Sequence, residues 1–343
     1  MTIILLILLR GLFCLGLVMT DSVITMYHRE CKDLAAGAAD YSQKWDDTDD
    51  RRGRQIIHKS GTIRMIAGGR QIIHKSETIR MKKYLYVVKT QIIKSMTYEF
   101  NVYGNILMQT IIMITSAYFW RALYQGRGMV GDVDADSMLT YVVVSSLLSV
   151  LLITNVERRI QMSVIKGTVA TDMMKPINIF GVYFAEDIGN IAALTFQNML
   201  PILVIGSLLI KVPGMADIRD MPLFILSVAE SFLINWLIAA LFGMIAFTAV
   251  NIDALIQVKK HLLRLLSGSI IPIWFFPAGV ARILEALPFV YIYQLPLSIY
   301  IGRGERAQQL SQLRIQSLWL LILAGLFFLV HNRVTRNVMV QGG

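Results

Sequence analysis

The amino-acid sequence predicts an all-α integral membrane protein built on a six-helix transmembrane bundle. Hydrophobic residues make up 55% of the 343 residues and charged residues only 16%, whereas a soluble domain carries about 25% charged residues. Uncharged apolar runs at 101–120, 137–156, 188–210 and 231–252 are each long enough to cross a hydrocarbon layer about 30 Å thick. These runs lack the polar face at helical period that a soluble helical core would show.

The apolar runs, together with the loops between them, predict six spans and their orientation. The spans lie near residues 101–122, 137–156, 186–210, 223–250, 262–281 and 313–331. When residues 82–98 are placed in the cytoplasm, the inner segments carry more Lys and Arg than the outer ones. Cytoplasmic loops of membrane proteins show this excess, so both termini of the core are predicted to be cytoplasmic in a multi-pass protein.

The first 80 residues differ from the rest of the chain. Residues 1–20 are apolar, and a near-perfect repeat follows, with RQIIHKSGTIRM at 54–65 and RQIIHKSETIRM at 70–81. Two short copies cannot bury a core as a solenoid does. We expect 1–80 to be a poorly structured N-terminal extension, either an over-extended gene start with Met81 as the natural start or a genuine anchor with a tether. The transmembrane domain is then 81–343.

Residues 82–98 predict an amphipathic helix that lies in the cytoplasmic headgroup layer. Its sequence places Leu85, Val88, Ile92 and Met96 on one helical face, with lysines elsewhere. A soluble helix packed on a partner is the alternative.

Residues 277–302 predict a re-entrant or interfacial helical hairpin on the outer side. Pro288 and Pro296 would break a helix over 286–302, and the three tyrosines of this segment suit an interface. A seventh span over 286–302 is the alternative.

The sequence carries no catalytic, metal or nucleotide signature. The five histidines are scattered, and the H-E-x-x-H, G-x-S-x-G and G-x-x-x-x-G-K-[ST] patterns do not occur. The net charge of +10 has no nucleic-acid motif beside it, since the basic residues lie between apolar runs. We expect no enzyme activity, no cofactor bound by this chain and no nucleic-acid partner.

The inner loop between the second and third spans predicts a short amphipathic helix at the membrane face. Ile160, Val164, Ile165 and Val169 recur at helical spacing, Gly167 allows a bend, and Lys175-Pro176 stops the helix. An ordinary solvated connector is the alternative for this loop taken alone.

Glu230 is the one acidic residue well inside a predicted span, and Asn235 follows about one turn later. An intramembrane carboxylate is costly and therefore suggests a functional site. We predict that these two residues line a translocation path. The alternative is that Glu230 lies near the outer interface or pairs with a neighbouring helix.

Residues 81–343 as a whole resemble the permease subunits of the ABC-2 class of ATP-binding-cassette transporters, and within it the exporter subgroup of roughly 260-residue bacterial permeases. Three segments carry the resemblance: MKKYLYVVKTQIIKSMTYEF, IKGTVATDMMKPIN and SGSIIPIWFFPAGVARILEALPFVYIYQLPLSIYIG.

The resemblance implies a mechanism and a set of partners. Two permease subunits, identical or related, would enclose a path in the bacterial inner membrane, and two ATPase subunits would hold the ATP and Mg²⁺. The exported compound would be small and hydrophobic, amphipathic, cationic and drug-like, or peptide-like. The inner loop would act as a coupling helix docked in the ATPase, through Glu157, Arg158, Arg159, Ile165, Lys166, Gly167, Asp172, Lys175 and Pro176. An ion-coupled carrier or channel without an ATPase is the alternative function.

Overall fold

The structure is a computed structural model that describes residues 83–96, 99–125, 129–130, 133–174, 177–210 and 214–341. The predicted extension 1–80 and the predicted helix stop at Lys175 and Pro176 lie outside the described residues. The chain divides into two units, Met1–Leu85 and Tyr86–Gly343, and the second contains the elements discussed below apart from the first three residues of α1.

Helices dominate the described residues. The α-helices are α1 (83–96), α2 (Glu99–Leu123), α3 (Ala135–Leu151), α4 (Val156–Ile165), α5 (Val169–Met174), α6 (Ile179–Leu194), α7 (Leu200–Ile210), α8 (Met221–Met244), α9 (Ala246–Ala249), α10 (Asp253–Leu266), α11 (Ala278–Glu285), α12 (Gln294–Tyr300) and α13 (Arg306–Gln341). A π-helical turn at Thr195–Met199 joins α6 to α7, and 3₁₀ turns cover Ile218–Asp220, Ile273–Phe275 and Val290–Ile292. The two-residue strands β1 (Met129–Val130) and β2 (Val133–Asp134) form a small antiparallel hairpin that the all-α prediction did not include.

Five helical segments are long and apolar enough to cross a membrane: Ile106–Leu123, Ala135–Ile165, Ile179–Leu208, Ile218–Ala249 and Arg306–Val334. They overlap five of the six predicted spans. The protein is therefore an all-α integral membrane protein in class, with one predicted span that does not appear as a long helix.

The centre of the bundle is α3 together with α8. Of the 18 consecutive residues that are most apolar in each segment, 72% are buried in Ala135–Ile165 and 56% in Ile218–Ala249, but only 17% in Ile106–Leu123. The outer helices accordingly expose large apolar side chains, such as Leu107 on α2 and Leu321 on α13. Exposed apolar side chains are stable against lipid tails, whereas their exposure to water would be costly.

The predicted span 262–281 is broken after its first turn. Helix α10 ends at Leu266, and Gly268 adopts a left-handed φ of 82°. Hydroxyl groups on α3 pair with the freed backbone carbonyls: the Tyr141 hydroxyl donates to the Gly268 carbonyl at 2.6 Å, and the Ser145 hydroxyl donates to the Ser269 carbonyl at 2.8 Å. A backbone interruption inside a bundle is stable when its polar groups find such partners.

The segment 277–302 folds as two short helices, α11 and α12, joined through the 3₁₀ turn at Val290–Ile292. A buried amide fixes this turn: Gln316 Nε2 on α13 donates to the Tyr291 carbonyl at 3.0 Å and to the Ser227 carbonyl of α8 at 2.9 Å. The turn is therefore attached to both α8 and α13. The 286–302 segment is not one continuous helix.

Candidate coupling site

Helix α4 continues from the end of α3 across a four-residue break. The break at 152–155 leaves the carbonyl of Leu152 without a helical partner, and the side-chain amide of Asn235 on α8 donates to it at 2.6 Å. Such end carbonyls need a partner when they are buried. Asn235 therefore supports the junction between α3 and α4, and its place on a translocation path stays a prediction.

Helix α4 packs directly against the backbone of α8 at Gly243. A Cβ atom at position 243 would lie 2.7 Å from Ile160 Cδ1 and 2.9 Å from Glu157 Cα. Both distances are too short for real carbon atoms, so only glycine permits this approach. Val156 and Ile160 are completely or almost completely buried in this contact zone. The two helices are therefore held at a fixed, short separation.

Arg159 joins α4 to α6 through a buried carboxylate. Asp187 is fully buried and accepts hydrogen bonds from Arg159 Nη1 at 2.7 Å, from the Asn155 backbone N–H at 3.3 Å and from Trp236 Nε1 at 3.1 Å. The Arg159 guanidinium also pairs with Glu186 at 3.1 Å. Because the three donors to Asp187 come from the residue before α4, from α4 itself and from α8, this one side chain on α6 ties these elements together.

Two further polar pairs attach α4 to the segment that follows α8. Glu157 and Lys259 form an ion pair at 2.5 Å, with side chains only 1% and 5% exposed, and Lys259 belongs to α10. Gln161 Nε2 donates to Asn251 Oδ1 at 3.2 Å, just before α10 begins. A buried ion pair of this kind is costly to break on one side, so the face of α4 that carries Glu157 and Gln161 is a fixed internal surface.

The far end of α4 is exposed, and the chain reverses there. We define the tip as residues 162–168; Met162 and Ile165 are 41% and 50% exposed. Gly167 has a left-handed φ of 67°, and its N–H donates to the Val164 carbonyl at 3.0 Å. This is a glycine helix stop, after which α5 begins at Val169. The tip thus presents apolar and basic side chains, including Lys166, on a short helical reversal.

The structure divides the predicted coupling residues into two groups. Glu157 and Arg159 lie in the buried ion pairs, whereas Ile165, Lys166 and Gly167 lie on the exposed tip. Arg158 is also exposed and meets Asp253 at 3.6 Å, with side chains 62% and 51% exposed. Asp172 lies on α5 and accepts from the Ser163 hydroxyl at 3.4 Å. Lys175 and Pro176 are not among the described residues.

Glu230 lies between two membrane-crossing helices. Its Oε1 atom accepts a hydrogen bond from the Ser317 hydroxyl on α13 at 2.8 Å, and its second carboxylate oxygen is buried without a hydrogen bond from any described residue. A hydrogen bond to a neighbouring helix is what the alternative for Glu230 describes. These contacts do not test its place on a translocation path, which stays a prediction.

Two residues of the junction were not predicted from the sequence. Asp187 falls at the edge of the predicted third span, where a carboxylate is expected at the membrane surface and gives no separate signal. Lys259 was counted only as an inner-side basic residue. The pairing of each depends on which helices are neighbours, and the adjacent acids Glu186 and Asp187 in an otherwise apolar stretch were the one available hint.

The chain is similar to a known protein family over most of its length. The model of a family described as ABC-2 family transporter protein matches residues 87–342. Comparison with individually curated proteins finds no match. The matched range is well over half of the chain and contains all five membrane-length segments and the coupling site. Proteins of this kind are permeases, the membrane components of transporters, and they associate with an ABC ATPase subunit. The chain belongs to the ABC-2 family of transporter proteins.

Proposed function

We propose that the chain is the membrane subunit of an ATP-driven exporter in the bacterial inner membrane. Two copies, or one copy and a related permease, enclose the path, and two separate ATPase subunits hold the ATP and Mg²⁺. The observation that carries this proposal is the construction of α4, which is fixed to the bundle along one side and exposed at its tip. A helix built in this way transmits a push to the bundle.

The contacts of α4 determine which helices a displacement of its tip would move. Displacement of the tip moves α6 through Arg159 and Asp187, and moves α10 through Glu157 and Lys259. It also moves α8, because Gly243 leaves no space between the two backbones. The polar links are short and buried, so they resist bending. The nucleotide-driven closure of the ATPase would therefore shift several membrane helices as one unit.

We further propose six crossings, with α10 and the irregular residues 267–276 forming the fifth. The middle of α10 lies beside Glu157, after the inner end of α3, and the chain beyond α10 reaches Tyr141 and Ser145 within α3. Phe275 then packs on Trp120 near the outer end of α2, with ring centroids 4.7 Å apart. Segment 277–302 then begins and ends on the outer side as a re-entrant hairpin. Six crossings place both ends of the core in the cytoplasm.

The exported compound is proposed to be small and hydrophobic, amphipathic or peptide-like, in keeping with a path inside a helical membrane bundle. Glu230 accepts a hydrogen bond from Ser317, so its carboxylate alone assigns no charge to the exported compound.

Coupling can be tested with variants confined to the tip. Gly167→Pro removes the N–H donated to Val164 and demands a φ near −65° where the chain has 67°. Lys166→Glu reverses the charge offered to a partner. Both variants should insert in the membrane in normal amount, but they should lose association with the ATPase and ATP-dependent efflux of an amphipathic dye by about tenfold or more.

Gly279→Ala serves as the matched control, because a Cβ at position 279 on α11 meets nothing within 4 Å. It should bind the ATPase and export the dye as the unmodified chain does. Normal ATPase binding and normal efflux in both tip variants would refute the coupling assignment. Efflux that continues without ATP and follows an ion gradient would favour the carrier.

A further inference from the structure

Helix α10 has three distinct faces. One is buried in the bundle and carries Ile256 and Lys259. The other two are both exposed and separate cleanly by residue type. Val258, Leu262 and Leu265 form an apolar stripe at spacings of four and three residues. We define the basic stripe as Lys260, His261 and Arg264; all three are exposed, and the exposed neutral Gln257 lies on the same face. A helix that simply lies between protein and lipid needs only two faces.

The basic stripe extends to a depth at which lipid would surround it. The ion pair of Lys259 with Glu157 fixes the middle of α10, and the hydrogen bonds from Tyr141 and Ser145 fix the chain just beyond its C-terminal end. Those two hydroxyls belong to α3, a membrane-length segment. Arg264 lies only four residues before Gly268, a rise of about 6 Å. Its guanidinium therefore projects from the part of α10 that runs beside α3.

Nothing in the described part of the chain neutralises this stripe. No ion pair joins Lys260, His261 or Arg264 to a described carboxylate. Charged side chains at membrane depth are rare, and they face a bundle interior or a water-filled cavity when they occur. The apolar stripe on the adjoining face already supplies the surface that hydrocarbon requires. The basic stripe therefore needs water or an anion opposite to it.

We propose that the basic stripe of α10 lines the aqueous path and binds the acidic group of an exported organic anion, a carboxylate, sulfonate or phosphate. Lys260 supplies a point charge, and Arg264 supplies a planar pair of donors that matches two oxygens of such a group. The apolar stripe faces the hydrocarbon and marks the edge of the path. This inference rests on the proposed export function and adds the chemical class of the compound.

Thiol labelling tests the stripe without the need for transport. In full-length chains with Cys14→Ser and Cys31→Ser, single cysteines replace His261 on the basic stripe or Leu262 on the apolar stripe. Inverted membrane vesicles are treated with an anionic sulfonatoethyl or a cationic trimethylammonioethyl methanethiosulfonate. Each rate is divided by the rate of the same reagent with a free thiol, so that the ratio reports the local potential.

Position 261 should react at least tenfold faster than position 262, because only the first faces water. At position 261 the normalised anionic rate should exceed the cationic rate by about tenfold at low salt. Lys260→Gln combined with Arg264→Gln should bring the two rates close together. Equal reactivity at 261 and 262, or a preference for the cationic reagent, would overturn the inference and leave the export proposal standing.

Transport by the same vesicles separates the two proposals. ATP-driven uptake of a sulfonated fluorescent dye should fall about tenfold in the Lys260→Gln, Arg264→Gln double variant. ATP-driven uptake of a cationic dye alone, unaffected by these changes, would overturn the anion class. If neither dye shows any ATP dependence while the labelling pattern holds, the ATP-driven function fails and the water-facing basic stripe is retained.

Discussion

Arg159 and Arg158 are adjacent residues on α4 with opposite surroundings, and replacing each with glutamine tests how α4 is fixed. Arg159 pairs with the fully buried Asp187 at 2.7 Å and with Glu186 at 3.1 Å. Arg158 meets Asp253 at 3.6 Å, and both side chains are more than half exposed. Because the two substitutions are chemically identical and lie on one helix, they differ mainly in the ion pairs that each one removes.

The expected magnitudes follow from burial. Breaking one side of a buried ion pair costs about 3–5 kcal/mol; Asp187 keeps two other donors, Asn155 and Trp236. We therefore expect Arg159→Gln to lower the free energy of unfolding by about 3 kcal/mol. An exposed pair contributes about 0–1 kcal/mol, so Arg158→Gln should lower it by about 0.5 kcal/mol.

The assay is reversible unfolding of the purified full chain in mixed detergent, with sodium dodecyl sulfate as the denaturant and tryptophan fluorescence as the signal. Trp236 donates directly to Asp187 and reports on the junction. A double-mutant cycle with Asp187→Asn should give a coupling energy of about 2 kcal/mol with Arg159. Similar losses of stability for Arg158→Gln and Arg159→Gln, or a coupling energy below about 0.5 kcal/mol, would refute the anchoring role.

Two further changes can be measured by the same unfolding assay. Gly243→Ala should lower the free energy of unfolding by about 1–3 kcal/mol, because the new Cβ meets the Glu157 backbone at 2.9 Å. The control Gly325→Ala, with nothing within 4 Å of its Cβ, should be neutral or slightly stabilising. Equal effects of the two substitutions would contradict the close approach of α4 and α8. Gln316→Leu should cost about 1–3 kcal/mol, because it removes the amide donor to the Ser227 and Tyr291 carbonyls and leaves the buried Ser227 hydroxyl without its acceptor. A change no larger than that of Gln312→Leu, one turn earlier on α13, would show that the amide does not fix the turn.

The sequence predicted the parts of the fold that depend on long apolar runs. Five of the six expected spans correspond to membrane-length helices, because roughly 20 uncharged apolar residues have few other stable forms. The span at 262–281 was not found as a long helix. Its apolar content is high, yet Gly268 and the hydroxyls of Tyr141 and Ser145 stabilise an irregular backbone that composition does not reveal.

The short helix of the inner loop was predicted from the sequence, but its contacts were not, and its coupling role stays a proposal. Helical spacing found α4, and Gly167 was expected to permit a bend, which its left-handed backbone does. Which residues face inward could not be predicted, because that depends on α8 and α10 as neighbours. Glu157 and Arg159 were expected among the residues that dock in the ATPase, and the structure pairs them inside the bundle with Lys259 and Asp187.

Site-specific photo-crosslinking from the tip tests the central claim most directly. A photoreactive amino acid replaces Lys166 in the full chain, and a second variant carries it at Arg282, an exposed residue of α11 on the proposed outer side. Crosslinking is performed in intact host membranes, and the products are identified by mass spectrometry. We predict that position 166 captures a polypeptide with a G-x-x-x-x-G-K-[ST] phosphate-binding loop, in an amount that changes when ATP is added, and that position 282 does not. A tip that captures no such ATPase, or the same ATPase captured equally from position 282, would contradict the account.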